Sequence, residues 1–422
     1  MLPAPHRRTV VVGAGIVGVA TAIWLLRRGH PVAIVDAGSE RSRASYGNAG
    51  VLAACSVVPV TVPGLVARAP RLVLDRDSPL FLRWGYLPRL APWLLRYLGH
   101  CNEADVARIA RGLAPLLADT LAQHRALAAG TPAERLLQGS GYLFAYPSRA
   151  AFAAEALVWR LRAEAGFSWQ EIAGPELRSL DPALGPGIGF GVLLGEHGFV
   201  LDPGAYLAAL GEHARALGAE RRRAAAIGFR LGADGSFQAV VTDRGEVEGA
   251  RAVVATGAWS KALAAELGLS VPLESERGYH VMLRDPSLVP RLPTMVASGR
   301  FVASPMAGGI RCAGIVEFGG LKAPAGRRPV ALILEKVREA YPGLAFSGHE
   351  EWLGHRPAPS DSLPLVGEVP GRPGIFLAFG HHHVGLTAGP KTGRALAALI
   401  DGDDPGLDLA PYRPDRFARR RR

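Results

Sequence analysis

At 422 residues and 49% apolar composition, the chain exceeds what one hydrophobic core ordinarily organises, so two domains are expected. The formal charge of +11 is carried almost wholly by arginine, and the basic runs Arg221 to Arg223 and Arg419 to Arg422 lack interleaved aromatics to stack bases, which argues against a nucleic-acid partner and leaves solvated arginines as the plain reading. Cys55, Cys101 and Cys312 are too few and too far apart for a disulfide framework or a metal-ligand set, which points to a reducing cytoplasm.

The apolar stretch Thr9 to Leu26 follows His6, Arg7 and Arg8, so hydropathy alone would suggest a signal peptide or a membrane span. Its glycines at 13, 15 and 18 argue otherwise, and no other run reaches the ~20 apolar residues a span needs. Thr9 to Val12 reads as a buried strand, followed by Gly13-Ala-Gly15-Ile-Val-Gly18 and a helical pattern through Arg28, which Gly29 closes. Pro31 to Val35 gives a second buried strand ending in Asp36, 18 residues after Gly18. In this arrangement Gly13 permits a tight turn, Gly15 lets backbone approach a pyrophosphate, and Gly18 brings helix onto strand, so that the helix N-terminus faces phosphates. Asp36 is placed to accept hydrogen bonds from a ribose. Ala14, Ile16, Val17 and Ala37 complete the expected contact set. FAD and NAD both satisfy this motif, whereas the acid would repel the 2′-phosphate of NADP.

Next comes Ser42-Arg-Ala-Ser-Tyr-Gly-Asn-Ala-Gly50. It resembles the serine and Gly-Asn-Ala-Gly segment of bacterial D-amino-acid dehydrogenases, within the wider D-amino-acid oxidase-like family of flavoproteins. The resemblance implies FAD as cofactor, with Ser45, Asn48, Ala49, Gly50 and Leu52 on a segment running under the flavin ring. Beyond it, Leu87 to Ala129 is helix-rich and amphipathic, with Trp84 and Trp93 among basic residues. Membrane contact and core packing are the two readings of that surface. Gly141 to Tyr146, Glu274 to Leu283 and Arg300 to Phe318 alternate or run apolar like strands, so an antiparallel sheet is expected.

The resemblance continues through Asp202-Pro203, a helix to Leu217 and Gly218-Ala-Glu220, and places Ile227 near the adenine. Arg251 to Gly257 is similar to the Ala-Thr-Gly element where two-domain flavoproteins return to the cofactor, here Thr256, Gly257 and Trp259. The most specific likeness lies in Trp352-Leu-Gly-His-Arg-Pro357, Asp361 to Gly367, Phe376 to His381, His383-Val-Gly-Leu-Thr387, Thr392-Gly-Arg394 and Pro411 to Phe417. It implies flavin-side roles for Gly354, Gly380, His381, Val384, Gly385, Leu386 and Thr387, the last three opening a helix whose positive end meets charge developing on the flavin. Neighbouring side chains of the triple histidine point different ways, which disfavours a metal site and leaves His382 to contact flavin or substrate.

The fold class expected is α/β: a discontinuous Rossmann-like FAD-binding domain (1–59, 195–268 and 351–422) with a second, α+β substrate domain built on an antiparallel sheet (60–194 and 269–350). Oxidising an amine beside a carboxylate needs a cation for that carboxylate. Arg356 is the expected clamp, since a guanidinium binds it bidentately, and Tyr279 is the second candidate. A further arginine of glycine and D-amino-acid oxidases is absent at Ser304-Pro-Met306, as it is in the dehydrogenases. The implied reaction is oxidative deamination of a D-amino acid, or of a D-hydroxyproline-like secondary amine, to the imine and then the 2-oxo acid, by hydride transfer from Cα to flavin N5. A quinone or other electron-transfer acceptor is expected, reached at the inner face of a membrane by peripheral contact. The alternatives are a sarcosine or glycine oxidase and a noncatalytic FAD subunit of a heteromeric dehydrogenase. No cysteine stands near Trp352 to attach a flavin covalently.

Overall fold

The computed structural model describes residues 8–418 except 68, 70–74 and 76; the arginine run 419–422 lies outside the described residues. Thr9–Val12 is the pivot of a six-stranded sheet, parallel to Val32–Val35 on one side and to Arg251–Val254 on the other, with Val12 level with Val35 and Val254. Ile375–Phe379 continues the parallel set beside Arg251–Val254, Glu220–Arg222 pairs with Val32–Val35, and Leu365–Glu368 closes the far edge antiparallel. Short valine-rich runs suit these inner positions because both faces are covered. Val11 packs with the helices Ile16–Arg27, Pro203–Ala216 and Gly385–Asp401. Val10 and Val12, on the opposite face, meet Phe237, Val240 and Val247 of a three-stranded meander, Ala226–Leu231, Phe237–Thr242 and Gly245–Glu248.

A Cβ at Gly393 would lie 2.6 Å from the Thr21 nitrogen, so that glycine lets the first and last long helices cross at backbone contact. The closing segment is fastened by Arg416, whose guanidinium donates to both oxygens of Asp361 at 2.7 and 3.0 Å. The chain leaves Thr9–Val12 to one side and returns on the other. The carboxyl ends of its parallel neighbours therefore open a crevice at a topological switch point.

Over that crevice lies the long second sheet, ten strands in all, of which Leu273–Arg284 is central, antiparallel to both Gly348–Pro359 and Gly309–Phe318. The sheet is not wholly antiparallel, as the sequence had suggested. Thr294–Val296 runs parallel to Leu137–Tyr146, and Leu80–Leu82 runs parallel to Gly309–Phe318. Parallel pairing needs only a long connection, and here well over a hundred residues intervene in each case. The sheet also takes in Val51–Leu52, Phe190–Val200 and Gly348–Pro359. Phe190–Val200 and Gly348–Pro359 span positions 194 and 350, so chain on either side of those positions shares one sheet.

Alternation along Leu273–Arg284 sorts its side chains. Tyr279, Val281 and Leu283 pack on the Arg327–Ala340 helix through Val330, Ile333 and Val337. Glu276, Gly278 and His280 take the other face, toward the crevice. In the Leu87–Gly99 helix Trp93 is buried, stacked on Tyr97 at 4.6 Å and donating to the Ala358 carbonyl at 2.9 Å, whereas Trp84 just ahead of it is 59% exposed. No helix among the described residues is long and apolar enough to cross a membrane.

Candidate active site

A cavity of about 990 Å³ fills the space between the sheets, at the upper end of the usual range for small-molecule and cofactor sites. At one end stands the glycine loop. Gly13 has φ +110°, and a Cβ there would lie 2.4 Å from the Ala255 oxygen; a Cβ on Gly18 would lie 2.0 Å from the Gly13 oxygen. Gly15 meets only Ser45 Oγ, at 3.6 Å, so its backbone borders open space. The Ile16–Arg27 helix starts at Gly15 without a side-chain cap, and its Ile16 amide donates to Ser45 Oγ at 3.0 Å. A helix N-terminus on a cavity wall, with only its first amide taken by a side chain, is a ready anion site. Asp36 stands beside it at the end of Val32–Val35, accepting from the Ala14 amide at 2.7 Å, the Gly38 amide at 3.0 Å and Arg43 Nη2 at 3.1 Å. Ile227, mostly exposed, borders the same end.

Midway, the 46–50 segment is held from the long sheet. His280 Nδ1 meets the Gly47 carbonyl at 2.8 Å, and Arg311 Nη1 donates to the Asn48 carbonyl at 2.7 Å. Trp352 stacks on His280 with centroids 5.1 Å apart, and its ring lies where a Cβ on Gly47 or Gly354 would project. Burial pushes His280 down to about 3, so it meets the segment as a neutral ring. Thr256 and Gly257 follow the Arg251–Val254 strand to the same wall, and Trp259 sits edge-on to His355 at 5.3 Å. Gly385, Leu386 and Thr387 bring the start of the last helix to the cavity. His381 borders it too, with Nε2 3.0 Å from Thr392 Oγ1, and burial pushes its ring down to about 4.

At the other end Arg356 and Glu276 face each other across paired strands, Arg356 Nη1 standing 3.7 Å from Glu276 Oε1. The second oxygen of Glu276 is hydrogen-bonded to His382 Nε2. His382 is buried with φ +49°, a left-handed conformation that costs a non-glycine residue and recurs at functional sites. Burial raises the Glu276 carboxyl, but His382, Arg356 and His383 outweigh it and hold the group ionised, well below the usual carboxylate range. His383 is pushed down to about 3 by burial and by His382. Among the described residues Arg356 itself makes one long hydrogen bond, Nη1 to the Ile315 carbonyl at 3.4 Å.

Tyr279 is among the residues that border the cavity, but its hydroxyl is engaged away from Arg356. Its ring is turned to the helix side of the sheet, where its hydroxyl donates to Glu317 at 2.5 Å and accepts from the Gly326 amide at 2.9 Å. Tyr279 and Arg356 sit at positions of opposite parity on paired strands, so their side chains take opposite faces. Every residue expected at the cofactor borders the cavity except Ala14, Gly18, Gly50 and Leu52. Ala14 turns its amide to Asp36, Gly18 is pressed on Gly13, Gly50 is wedged between Met306 and the Val200 carbonyl, and Leu52 is buried in the helix-side core.

Glu276, beside Arg356, and Tyr142, Met295 and Arg300 also border the cavity, and sequence reasoning missed them. Glu276 had left a signal: carboxylates at 274 and 276 alternate in a strand that the sequence marks as largely covered.

The arrangement fits FAD. The glycine loop and helix start suit its diphosphate and Asp36 its ribose, while Ser45, Asn48, Ala49, Gly354 and the 385–387 helix start line the remainder of the cavity. The fold and site thus define a two-sheet, flavin-dependent oxidoreductase. A family model described as FAD dependent oxidoreductase matches residues 8–399, and the chain belongs to that family. A D-amino-acid oxidase of Bradyrhizobium diazoefficiens is 41% identical, covering 97% of this chain and 99% of its own length. A D-amino acid dehydrogenase of Dechloromonas aromatica is 28% identical over 94% of this chain and 98% of its own. Among solved structures, glycine oxidase from Geobacillus kaustophilus superposes with a TM-score of 0.69 at 25% identity, covering 97% and 99% of the two chains.

Proposed function

We propose that this chain oxidises the Cα–N bond of a D-amino acid, or of a close secondary amine such as D-hydroxyproline, to the imine, which water converts to the 2-oxo acid. The observation that carries this reading is Arg356: a guanidinium at the cavity wall with a single long protein hydrogen bond, free to take a carboxylate bidentately. The D-amino-acid class comes from the relatives at 41% and 28% identity. Bound FAD supplies the two-electron acceptor chemistry. The protein's share is to fix the carboxylate on Arg356 and to keep water out with the long sheet. Arg356 and Glu276 together argue against a noncatalytic FAD subunit.

A quinone or other carrier is the proposed electron acceptor, met by peripheral contact at a membrane. Direct use of oxygen is the second reading, favoured by the name of the 41% relative. Anaerobic bleaching of the flavin by a panel of D-amino acids, L-amino acids, hydroxyprolines, sarcosine and glycine tests the substrate class. Bleaching by glycine and sarcosine but by no D-amino acid would overturn it. Reoxidation by oxygen compared with a soluble quinone decides the acceptor, and stoichiometric peroxide at the rate of substrate oxidation would select oxygen.

A further inference from the structure

The cavity holds a carboxylate that carboxylate binding at Arg356 does not use. Glu276 is almost fully buried, borders the cavity and lies directly opposite Arg356 in the strand register. His382 engages one of its oxygens, while the other accepts no hydrogen bond among the described residues and stands 3.7 Å from Arg356 Nη1. That spacing exceeds a charge-assisted hydrogen bond, which closes at roughly 2.7–2.9 Å. The two opposite charges are therefore paired at a distance but not hydrogen-bonded to each other. The Gly278 position explains the gap: a Cβ there would lie 2.5 Å from Arg356 Cζ, so the guanidinium rests flat on glycine backbone and is braced away from Glu276.

An α-amino acid carries a carboxylate and an ammonium on one carbon. We infer that Glu276 receives the substrate's α-ammonium while Arg356 takes its α-carboxylate, with His382 as the positioning residue that fixes Glu276. A zwitterion then adds no net charge to a water-poor site that already holds one cation and one anion. A simple carboxylate on Arg356 would instead set a second negative charge beside Glu276. The charged and titratable neighbours agree. Arg356 is the cation beside Glu276, His383 is held neutral by burial, and Tyr97, its phenol pushed well up by burial, adds no charge. This assignment rests on the proposed amino-acid oxidation, and it makes the protein a receptor for the zwitterion, one that rejects 2-hydroxy and unsubstituted acids.

The test compares D-alanine with propanoate, which differ only in the amino group, on the FAD-loaded enzyme. Anaerobic stopped-flow reduction gives the apparent Kd of D-alanine from its saturation, and the flavin spectral shift gives that of propanoate. Wild type should bind D-alanine more tightly. Glu276→Gln should weaken D-alanine about tenfold or more, the loss of one charge-assisted contact, while propanoate binds as well as before or better. Glu276→Asp, which keeps the charge, should retain the wild-type order. A purely structural Glu276 would weaken both ligands together through Arg356, and that parallel loss would overturn the assignment.

Equal binding of the two ligands by wild type would overturn it as well, and this measurement needs no variant that folds. Failure of any D-amino acid to reduce wild-type flavin would instead refute the proposed function, and the assignment with it. Reduction by D-amino acids with parallel losses in Glu276→Gln would refute the Glu276 role alone.

Discussion

Arg356 is tied to the fold by one hydrogen bond of 3.4 Å to Ile315 and by an ion pair of 3.7 Å to Glu276, with its side chain about a quarter exposed. Contacts of that length and exposure are worth about 1 kcal/mol or less to stability. In the substrate complex the same guanidinium would hold a desolvated carboxylate, and deleting it would leave that charge unpaired beside Glu276, a loss of about 2 to 5 kcal/mol. Arg356→Ala should therefore keep FAD and its normal spectrum yet lose roughly 30- to 4,000-fold in kcat/KM for flavin reduction, at 1.4 kcal/mol per factor of ten. Arg356→Lys should recover only part, because an ammonium cannot make two parallel hydrogen bonds. The assay is anaerobic stopped-flow reduction, with FAD content measured after acid release from the same preparation. Near-normal reduction of Arg356→Ala by the preferred substrate would refute the clamp. Loss of FAD from the variant would show instead that Arg356 braces the sheet.

Asp36→Ala removes the acceptor of two backbone amides and an Arg43 contact. At about 1.5 to 3 kcal/mol per hydrogen bond to a charged group, gel filtration should strip FAD from the variant, while the fraction that stays loaded is reduced at the wild-type rate; undiminished FAD retention would count against this role. Of the cysteines, Cys55 and Cys312 are buried with thiols pushed up by burial, Cys55 to about 11, and none borders the cavity among its lining residues. Acid precipitation should accordingly release a yellow supernatant, and flavin retained in the pellet would show a covalent link.

His124, His280 and His381 are pushed down by burial to about 4, 3 and 4, against about 6.5 unfolded. In that window the unfolded chain binds more protons, so stability present above pH 6.5 should fall as pH drops toward 4, by up to about 1.4 kcal/mol per pH unit for each histidine. Thermal melts from pH 8 to 5 check this, and a Tm that does not decline below pH 6.5 would contradict the buried neutral rings.

How much could be read in advance depended on whether a feature was local. The glycine loop was legible because its requirements sit within a few residues. A positive φ at Gly13 and a missing side chain at Gly18 are properties of the chain itself. Asp36 was legible because a strand of known start and length must end there. The last helix was legible too, its glycine-rich start and apolar run marking Gly385–Asp401. The cofactor end of the cavity, made of loops that follow parallel strands, came with them.

The substrate end was not local. The alternation of Leu273–Arg284 showed that Glu276 and Tyr279 take opposite faces, but not which face meets the cavity. That was decided when the Arg327–Ala340 helix covered the Tyr279 side and drew its hydroxyl to Glu317. Glu276 then faced the crevice beside Arg356, from a strand 80 residues further on (356 − 276), and met His382, 106 residues away. The sequence by itself determined the fold class and the phosphate cradle, because turns, helix starts and strand ends follow from the backbone preferences of neighbouring residues. Only the tertiary structure decided which carboxylate and which cation share the pocket, because that depends on how two sheets pack across residues that have no relation along the chain.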